Sequence, residues 1–514
     1  MTGGRGLAPV ALFALTMLPC GSAVAADTGV PDAATIRANV RSSAGPLPAA
    51  YRETDVTTTS NGQTTIERDF RLAKDVRYVF DTGPFHTEHG ENGGTAWHMN
   101  DNGQVVVEEP DPGRATPEVT RTTVAAIDTP VHGYTIATLN AQGHGTKDYV
   151  DAATWRLVQR DTITANGTIV RTFDDFRADH GRTFAHHQHV ENGYARTTSD
   201  LRVDEFLPGA VAPADVAMPP PRRALVEFPA GVSSVELPTQ FGRSHVAVRV
   251  MIGGRGLDFI LDTGASGIFI DTKVARELGL PGYGRRSAVT AGRYDTARTI
   301  VPEMRVGSLV MRNVAVQEVP QGWNAGSGVK EVGLLGFDFL AELGVTIDYE
   351  HERVTVVPSA AYVPPNAPHT FPIDVRVGAG VPLVTVAVNG AIGERWTIDT
   401  GGAGTFLIFD YFARRHPEAM RDQLGGGAGR QANLYGIGGP IDARAYQIAS
   451  LRLANIDFQG FLGYRVNATG GYSGNGDGLI GSDFLRLFTI GFDYADGRAY
   501  FVPNALGRGA MGLH

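Results

Sequence analysis

Aspartate is the residue through which this chain could activate water, and Asp-Thr-Gly occurs at Asp27, Asp81, Asp262 and Asp399. Hydrolysis of a stable acyl bond needs a nucleophile stronger than neutral water and a proton donor for the oxygen that gains charge. Two adjacent carboxyls supply both, because they cannot ionise together: one loses its proton early and the other keeps it. Context decides which copies can pair. Asp262 and Asp399 each end an apolar strand, and each is followed downstream by an apolar-apolar-Gly triplet, Leu334-Leu335-Gly336 and Leu479-Ile480-Gly481. Asp27 sits in polar sequence, and Asp81 runs into Pro84 and a segment of His, Glu and Gly, so both read as turns.

The surroundings of the two selected acids are duplicated. His245 to Gly254 followed by Leu257 to Asp271 matches Pro382 to Gly390 followed by Arg395 to Asp410: two alternating strands, a glycine turn between them, and an acid closing the second. Gly336 and Asp338 match Gly481 and Asp483, and Asp348-Tyr349 matches Asp493-Tyr494, all 145 positions apart (336 to 481, 348 to 493). The acids themselves are 137 positions apart (262 to 399), so the second copy carries a loop insertion between acid and glycine.

This pattern resembles the pepsin/retropepsin family of aspartic peptidases, in particular bacterial forms with two tandem lobes, over residues 225 to 505. The resemblance implies two acid-protease β-barrel lobes forming a pseudo-dimer, with Asp262 and Asp399 as the catalytic pair and no cofactor or metal. It also implies that Thr263 and Thr400 brace the loops across a pseudo-twofold axis, and that Gly336 and Gly481 let the backbone pass close to the acids. Gly264 and Gly401 read as sources of backbone freedom and amide donors. Ser266 offers a hydroxyl near Asp262 that lobe two, with Gly402 and Gly404, does not repeat. An extended substrate also needs a hairpin cover. Gly292 and Tyr294 mark one flap candidate; Tyr435, Gly436 and Gly438 mark the other, and the choice between them stays open.

The organisation that must hold these loops is mainly β. The expected divisions are a signal peptide at 1–25, an antiparallel β-sheet domain at 26–206 and a Pro-rich linker at 207–224. Peptidase lobe 1 follows at 225–358, a connector at 359–370, lobe 2 at 371–505 and a tail at 506–514. Arg5, the apolar run Leu7 to Leu18 and Ala23-Val24-Ala25 form the export signal, so the mature chain is expected in the periplasm or secreted. The single cysteine, Cys20, falls in the removed segment; Pro19 before it fits a lipid-anchor site poorly. Asn61-Gly62, Asn102-Gly103 and Asn166-Gly167 punctuate alternating runs in the first domain. Thr95 to Gly103 and Tyr149 to Arg160 there resemble strand pairs of the outer-membrane lipoprotein carrier family, which implies a lipid or envelope partner; a structural accessory domain is the preferred reading.

His187 and His189 share one face of an alternating strand, the spacing a zinc ion would accept, yet solvated histidines are the simpler reading. The stretch Leu207 to Arg223 reads as a stiff tether. The 42% apolar content is that of a globular protein, and a net charge of −9 argues against a nucleic-acid partner. Two readings follow: an exported aspartic endopeptidase acting on peptide or protein as a monomer with two pseudo-symmetric lobes, or a catalytically inert envelope protein that binds peptide or lipid.

Overall fold

The computed structural model describes residues 29–108, 120–164, 167–193, 195–242, 245–320, 330–378, 380–404, 406–420, 431–466 and 476–513. The export-signal reading, Cys20 and Asp27 lie outside them. No helix among the described residues is long and apolar enough to cross a membrane.

Strands between Ala50 and Pro208 form one 13-stranded antiparallel sheet. The first strand, Ala50–Thr59, lies at its middle, and each successor adds outward to the edge strand Val105–Glu108. The chain resumes at the opposite edge with Arg121–Ile127 and walks back until Thr197–Pro208 pairs with the first strand, Val56 opposite Arg202. A helix, Ala33–Ala44, begins with Asp32 accepting from the Thr35 amide and packs Ile36 onto Ile136 and Val150. The proline-rich stretch does not hold the sheet at a distance. Its short helix Pro213–Val216 buries Val216, the Arg222 amide donates to Gly103, and the Arg223 guanidinium donates to Arg312 and Asn313 carbonyls. Val216 gives the segment an apolar anchor that composition alone hides.

The remainder holds two eight-stranded sheets of identical order, each closed by an extra pairing at the same position. In the first, Arg255–Leu261 runs parallel to Gly333–Leu335; in the second, Ala391–Ile398 runs parallel to Gly478–Ile480. Parallel neighbours buried on both faces need continuous apolar runs, and Leu261, Leu335, Ile398 and Ile480 are fully buried. A six-stranded sheet joins the halves, three strands from each. Its seam pairs Leu343–Asp348 with Phe488–Asp493, Ile347 opposite Ile490. The connector crosses this sheet: the Tyr362 ring lies where Gly344 and Gly491 lack side chains. One hydrophobic core runs through both halves and includes Val106 of the N-terminal sheet.

Ile347 and Ile490 are fully buried at the seam, so Ile490→Ala should destabilise by about 2–5 kcal/mol. Urea unfolding followed by tryptophan fluorescence should show both halves shifting to lower midpoint together; a shift in one half alone would contradict a shared core.

Candidate active site

Asp262 and Asp399 stand just beyond the two central parallel strands, where the backbone leaves the sheet. Each backbone amide is tied to the neighbouring strand: Asp262 N donates to Leu335 O at 3.0 Å and Asp399 N to Ile480 O at 2.9 Å. The next residue of each loop reaches across. Thr263 N donates to Thr400 Oγ1 and Thr400 N to Thr263 Oγ1, both at 3.0 Å. Each hydroxyl then donates onward, Thr263 Oγ1 to Ile398 O at 2.6 Å and Thr400 Oγ1 to Leu261 O at 2.7 Å. Four hydrogen bonds between buried groups therefore lock the loops together, each hydroxyl serving once as donor and once as acceptor.

The grip brings the two carboxyls face to face, close enough for each to shift the titration of the other. Gly264 N donates to Asp262 Oδ1 at 2.8 Å and Gly401 N to Asp399 Oδ1 at 2.9 Å. These glycines are needed for space rather than backbone freedom, since neither has positive φ. A methyl group on Gly264 would sit 2.6 Å from Asp399 Cγ, and one on Gly401 would sit 2.5 Å from Asp262 Cγ. Each loop thus vacates the volume the opposite acid occupies. Behind them a Cβ on Gly336 would strike the Ala265 and Gly267 carbonyls, and one on Gly481 the Gly404 carbonyl.

Burial raises both acids above the ordinary carboxylate range. The Asp399 charge pushes Asp262 further up, whereas the hydrogen bond from Asp262 restrains the rise of Asp399. Burial therefore favours holding one proton between the two acids, and that proton belongs to the pair. Tyr494 lies close enough to both acids that their charges, added to its own burial, raise its phenol well above normal.

Both flap candidates are hairpin tips, and they meet. Ala291 N donates to Ile437 O at 3.0 Å, and the absent side chains of Gly292 and Gly438 let the two tips cross. The contacts are exchanged between halves. Ile437 packs against Ile260, Ala265, Phe269 and Leu334 of the first half, and Ala291 against Leu407, Ile441, Val466 and Leu479 of the second. Neither Ala291 nor Ile437 was singled out by sequence, because alanine and isoleucine at a turn carry no chemical signal. Tyr294 packs inward beside Ile437, its hydroxyl accepting from Thr290 Oγ1 at 3.1 Å. Tyr435 is 56% exposed. Strand alternation turns Leu434 inward and Tyr435 out, so the two tyrosines are not equivalent, and Gly436 ends the strand that carries Leu434 and Tyr435.

Other expected positions fall elsewhere. No hydrogen bond joins Ser266 to Asp262 among the described residues; its backbone packs instead against Gly380 of the second half. Asp81 pairs with Arg68 and His86 on the N-terminal sheet. His187 faces Asp174 at 2.7 Å and shares Asp200 with His189. No group of three metal-ligating side chains occurs among the described residues. Asp338, unremarked by its sequence motif, is buried and its acid is pushed up to about 7 by that burial, against the opposing effect of Asn102.

Residues 248–339, which hold Asp262 and Gly336, match the family model described as aspartyl protease. The chain therefore carries an aspartyl protease domain, and its architecture is mainly β with barrel-like sheets behind an antiparallel one. Among solved structures, the aspartic proteinase from Irpex lacteus is 12% identical, with 54% of this chain and 100% of that chain covered and a TM-score of 0.35. The basic 7S globulin from soybean is 10% identical, with 55% and 98% covered and a TM-score of 0.31. A LolA-superfamily protein from Nitrosomonas europaea is 10% identical, with 36% and 97% covered and a TM-score of 0.29. No curated protein matches the chain.

Two predictions follow from the loop geometry. Thr400→Val leaves Thr263 N and Leu261 O buried without partners, at about 1–3 kcal/mol each; the urea midpoint should fall, and Thr400→Ser should retain most of it. Because the folded acids titrate above their unfolded value, their protonation contributes stability that is complete below about pH 4 and lost as pH rises through the raised values. Asp262→Asn should therefore raise the melting temperature at pH 7 by a few degrees and flatten its dependence on pH; a lower melting temperature at pH 7 would contradict a strained dyad.

Proposed function

We propose that this chain is an exported aspartic-type endopeptidase, built as two acid-protease lobes in a single-chain pseudo-dimer. The observation that carries the reading is the pair of buried acids in mutual contact, held by reciprocal threonine bonds under two crossed hairpins. Export rests on the N-terminal sequence and is checked by mass spectrometry of the mature chain, expected to begin at Ala26.

The chemistry requires one proton shared by two acids. A water held between them loses a proton to the Asp399 carboxylate while its oxygen bonds to the scissile carbonyl carbon. Protonated Asp262 meanwhile gives its proton to the carbonyl oxygen, so that no free oxyanion forms. The tetrahedral intermediate collapses when Asp399 passes its proton to the amide nitrogen and the carbon–nitrogen bond breaks; Asp262 recovers its proton from a hydroxyl of the intermediate. The amine and acid leave with the dyad restored. Crossed tips would donate backbone hydrogen bonds to an extended peptide and exclude bulk water, after parting to admit it. The apolar clusters flanking the dyad, with Phe269 and Leu334 on one side and Leu407 and Leu479 on the other, would receive side chains next to the scissile bond.

Incubating the mature chain with an unfolded protein should give cleavage that a statine-type transition-state mimic blocks. Asp262→Asn and Asp399→Asn should each reduce kcat/KM by about 10²–10⁴-fold. The pH profile should be bell-shaped: activity falls at low pH when both acids are protonated, and at high pH when the shared proton leaves. Burial places that second limb above the ordinary carboxylate value near 4. Cleavage that persists in either variant removes the dyad from the reaction, and absence of cleavage at every pH between 3 and 7 would leave an inert binding protein.

A further inference from the structure

We infer that the N-terminal sheet is part of the scaffold of the dyad: its turn at Asn100 to Gln104 positions the Asp262 loop through the Asp338 carboxylate. The inference rests on the peptidase reading for its catalytic consequence, though not for its structural one.

Asp338 lies two residues beyond Gly336 and is buried. One side of its carboxyl faces the N-terminal sheet, where Asn100 Nδ2 donates to Oδ1 at 2.7 Å and Asn102 Nδ2 to Oδ2 at 2.8 Å. The other side faces the end of the Asp262 loop. Ile268 N approaches Oδ2 at 3.4 Å, and a side chain on Gly267 would begin 3.1 Å from the same oxygen. The loop is tied to the same stretch by Gly336 N to Gly267 O at 3.1 Å and Phe337 N to Ala265 O at 2.9 Å. One carboxyl thus stands between a turn of the first domain and the segment Ala265 to Ile268, three to six residues from Asp262.

The turn is built for this contact. Asn100 Oδ1 accepts from the amides of Asn102 and Gln104, which fixes the loop, and Gly103 takes the left-handed conformation at φ +83°. Asn102 is also bound like a strand residue, its amide donating to Ala315 O at 3.1 Å and its Oδ1 accepting from Ala315 N at 2.8 Å. Gln104 Nε2 donates to the Asp338 carbonyl at 2.9 Å, and Asp101 pairs with Arg298 at 3.0 Å. Asn102 and Gln104 are 3% and 5% exposed, so this is a buried and satisfied polar network rather than a surface contact.

The duplication supplies an internal control. Asp483 holds the position of Asp338 in the second half and is exposed to solvent. The same motif acid therefore meets water in one half and the N-terminal turn in the other. A buried carboxyl that loses one of its two side-chain amide donors must find another or turn toward water, and either response moves Gly267 and Ile268. Asn100, Asn102 and Asp338 are positioning residues on this account; none touches the reacting atoms.

The test uses the full mature chain with Asn102→Ala, Asn100→Ala, Asn100→Asp, the exchange of Asn100→Asp with Asp338→Asn, and Asp483→Asn. Hydrogen exchange by mass spectrometry reads the amides of 262–268 without reference to activity, and steady-state kinetics on a peptide substrate read kcat and KM. Asn102→Ala should speed exchange across 262–268 by roughly ten-fold and lower kcat similarly with KM within about two-fold. Asp483→Asn should change neither, and the exchange pair should recover what Asn100→Asp alone loses. Unchanged exchange at 262–268 in the folded Asn102→Ala and Asn100→Ala proteins would overturn the inference, as would equal effects from Asp483→Asn. Faster exchange in a chain that cleaves nothing would uphold the coupling and reject the peptidase reading instead. Should Asn102→Ala fail to fold, Asn100→Ser, which removes a single donor to Asp338, gives the same reading.

Discussion

Two carboxyls do not come together in a protein interior unaided; their desolvation and mutual repulsion oppose it. What holds Asp262 and Asp399 in contact is the exchange of hydrogen bonds between Thr263 and Thr400, each hydroxyl accepting from the other loop's amide and donating to the other half's strand. This interaction satisfies buried backbone groups that would otherwise be orphaned, so separating the acids also breaks four bonds away from water. The six-stranded seam, the parallel strands beneath each loop and the close approach at Gly336 and Gly481 all serve to present those two threonines at one separation.

Above this symmetric base the molecule becomes asymmetric in a definite order. The crossed tips still obey the pseudo-twofold, since Ala291 and Ile437 each pack on the other half's apolar cluster. The side chains behind them do not, with Tyr294 turned in and Tyr435 out. The largest departure is the N-terminal sheet, which sits mainly on the first half, its edge strand also meeting Arg376–Gly378 of the second. Phe85 meets the Tyr283 ring at 5.7 Å, Arg298 lies 4.3 Å over Phe85, Asn61 Nδ2 donates to Arg285 O, and Ser287 N donates to Ala195 O. Tyr283 to Ser287 belongs to the outer strand of the first hairpin, Tyr283–Val289. The first domain therefore covers a strand edge that would otherwise be open to pairing, and it touches the hairpin that closes over the dyad.

The catalytic-type loops were legible because their signal is local and repeated: an apolar strand, Asp-Thr-Gly, and a later apolar-apolar-Gly in the same order twice. The antiparallel character of the first domain was legible for a similar reason, in alternation broken by Asn-Gly turns. What the sequence concealed depends on contacts between distant segments. Asn102 and Asp338 are 236 positions apart, and nothing in the Asn-Gly turn signals that its amide will be buried against the first of the two duplicated halves. The proline-rich stretch read as a spacer because composition reports backbone stiffness, whereas docking is decided by Val216 and two arginines. Gly264 and Gly401 read as sources of backbone freedom and amide donors; both amides do donate to the acids, but the need for glycine comes from the opposing acid, a constraint that exists only once two loops are brought face to face.

Joining both halves in one chain has a consequence for the proton that a symmetric homodimer could not reach. In such a dimer the two acids have identical surroundings, so the shared proton has no preferred site in the free protein. Here the loop of Asp262 is backed by a buried acid, Asp338, and its counterpart behind Asp399, Asp483, is open to water. Burial raises both acids, and because the two loops have different surroundings the shared proton meets two unequal sites. Duplication followed by docking of a further domain mainly against one half is thus a physical route to giving two residues of identical type different surroundings.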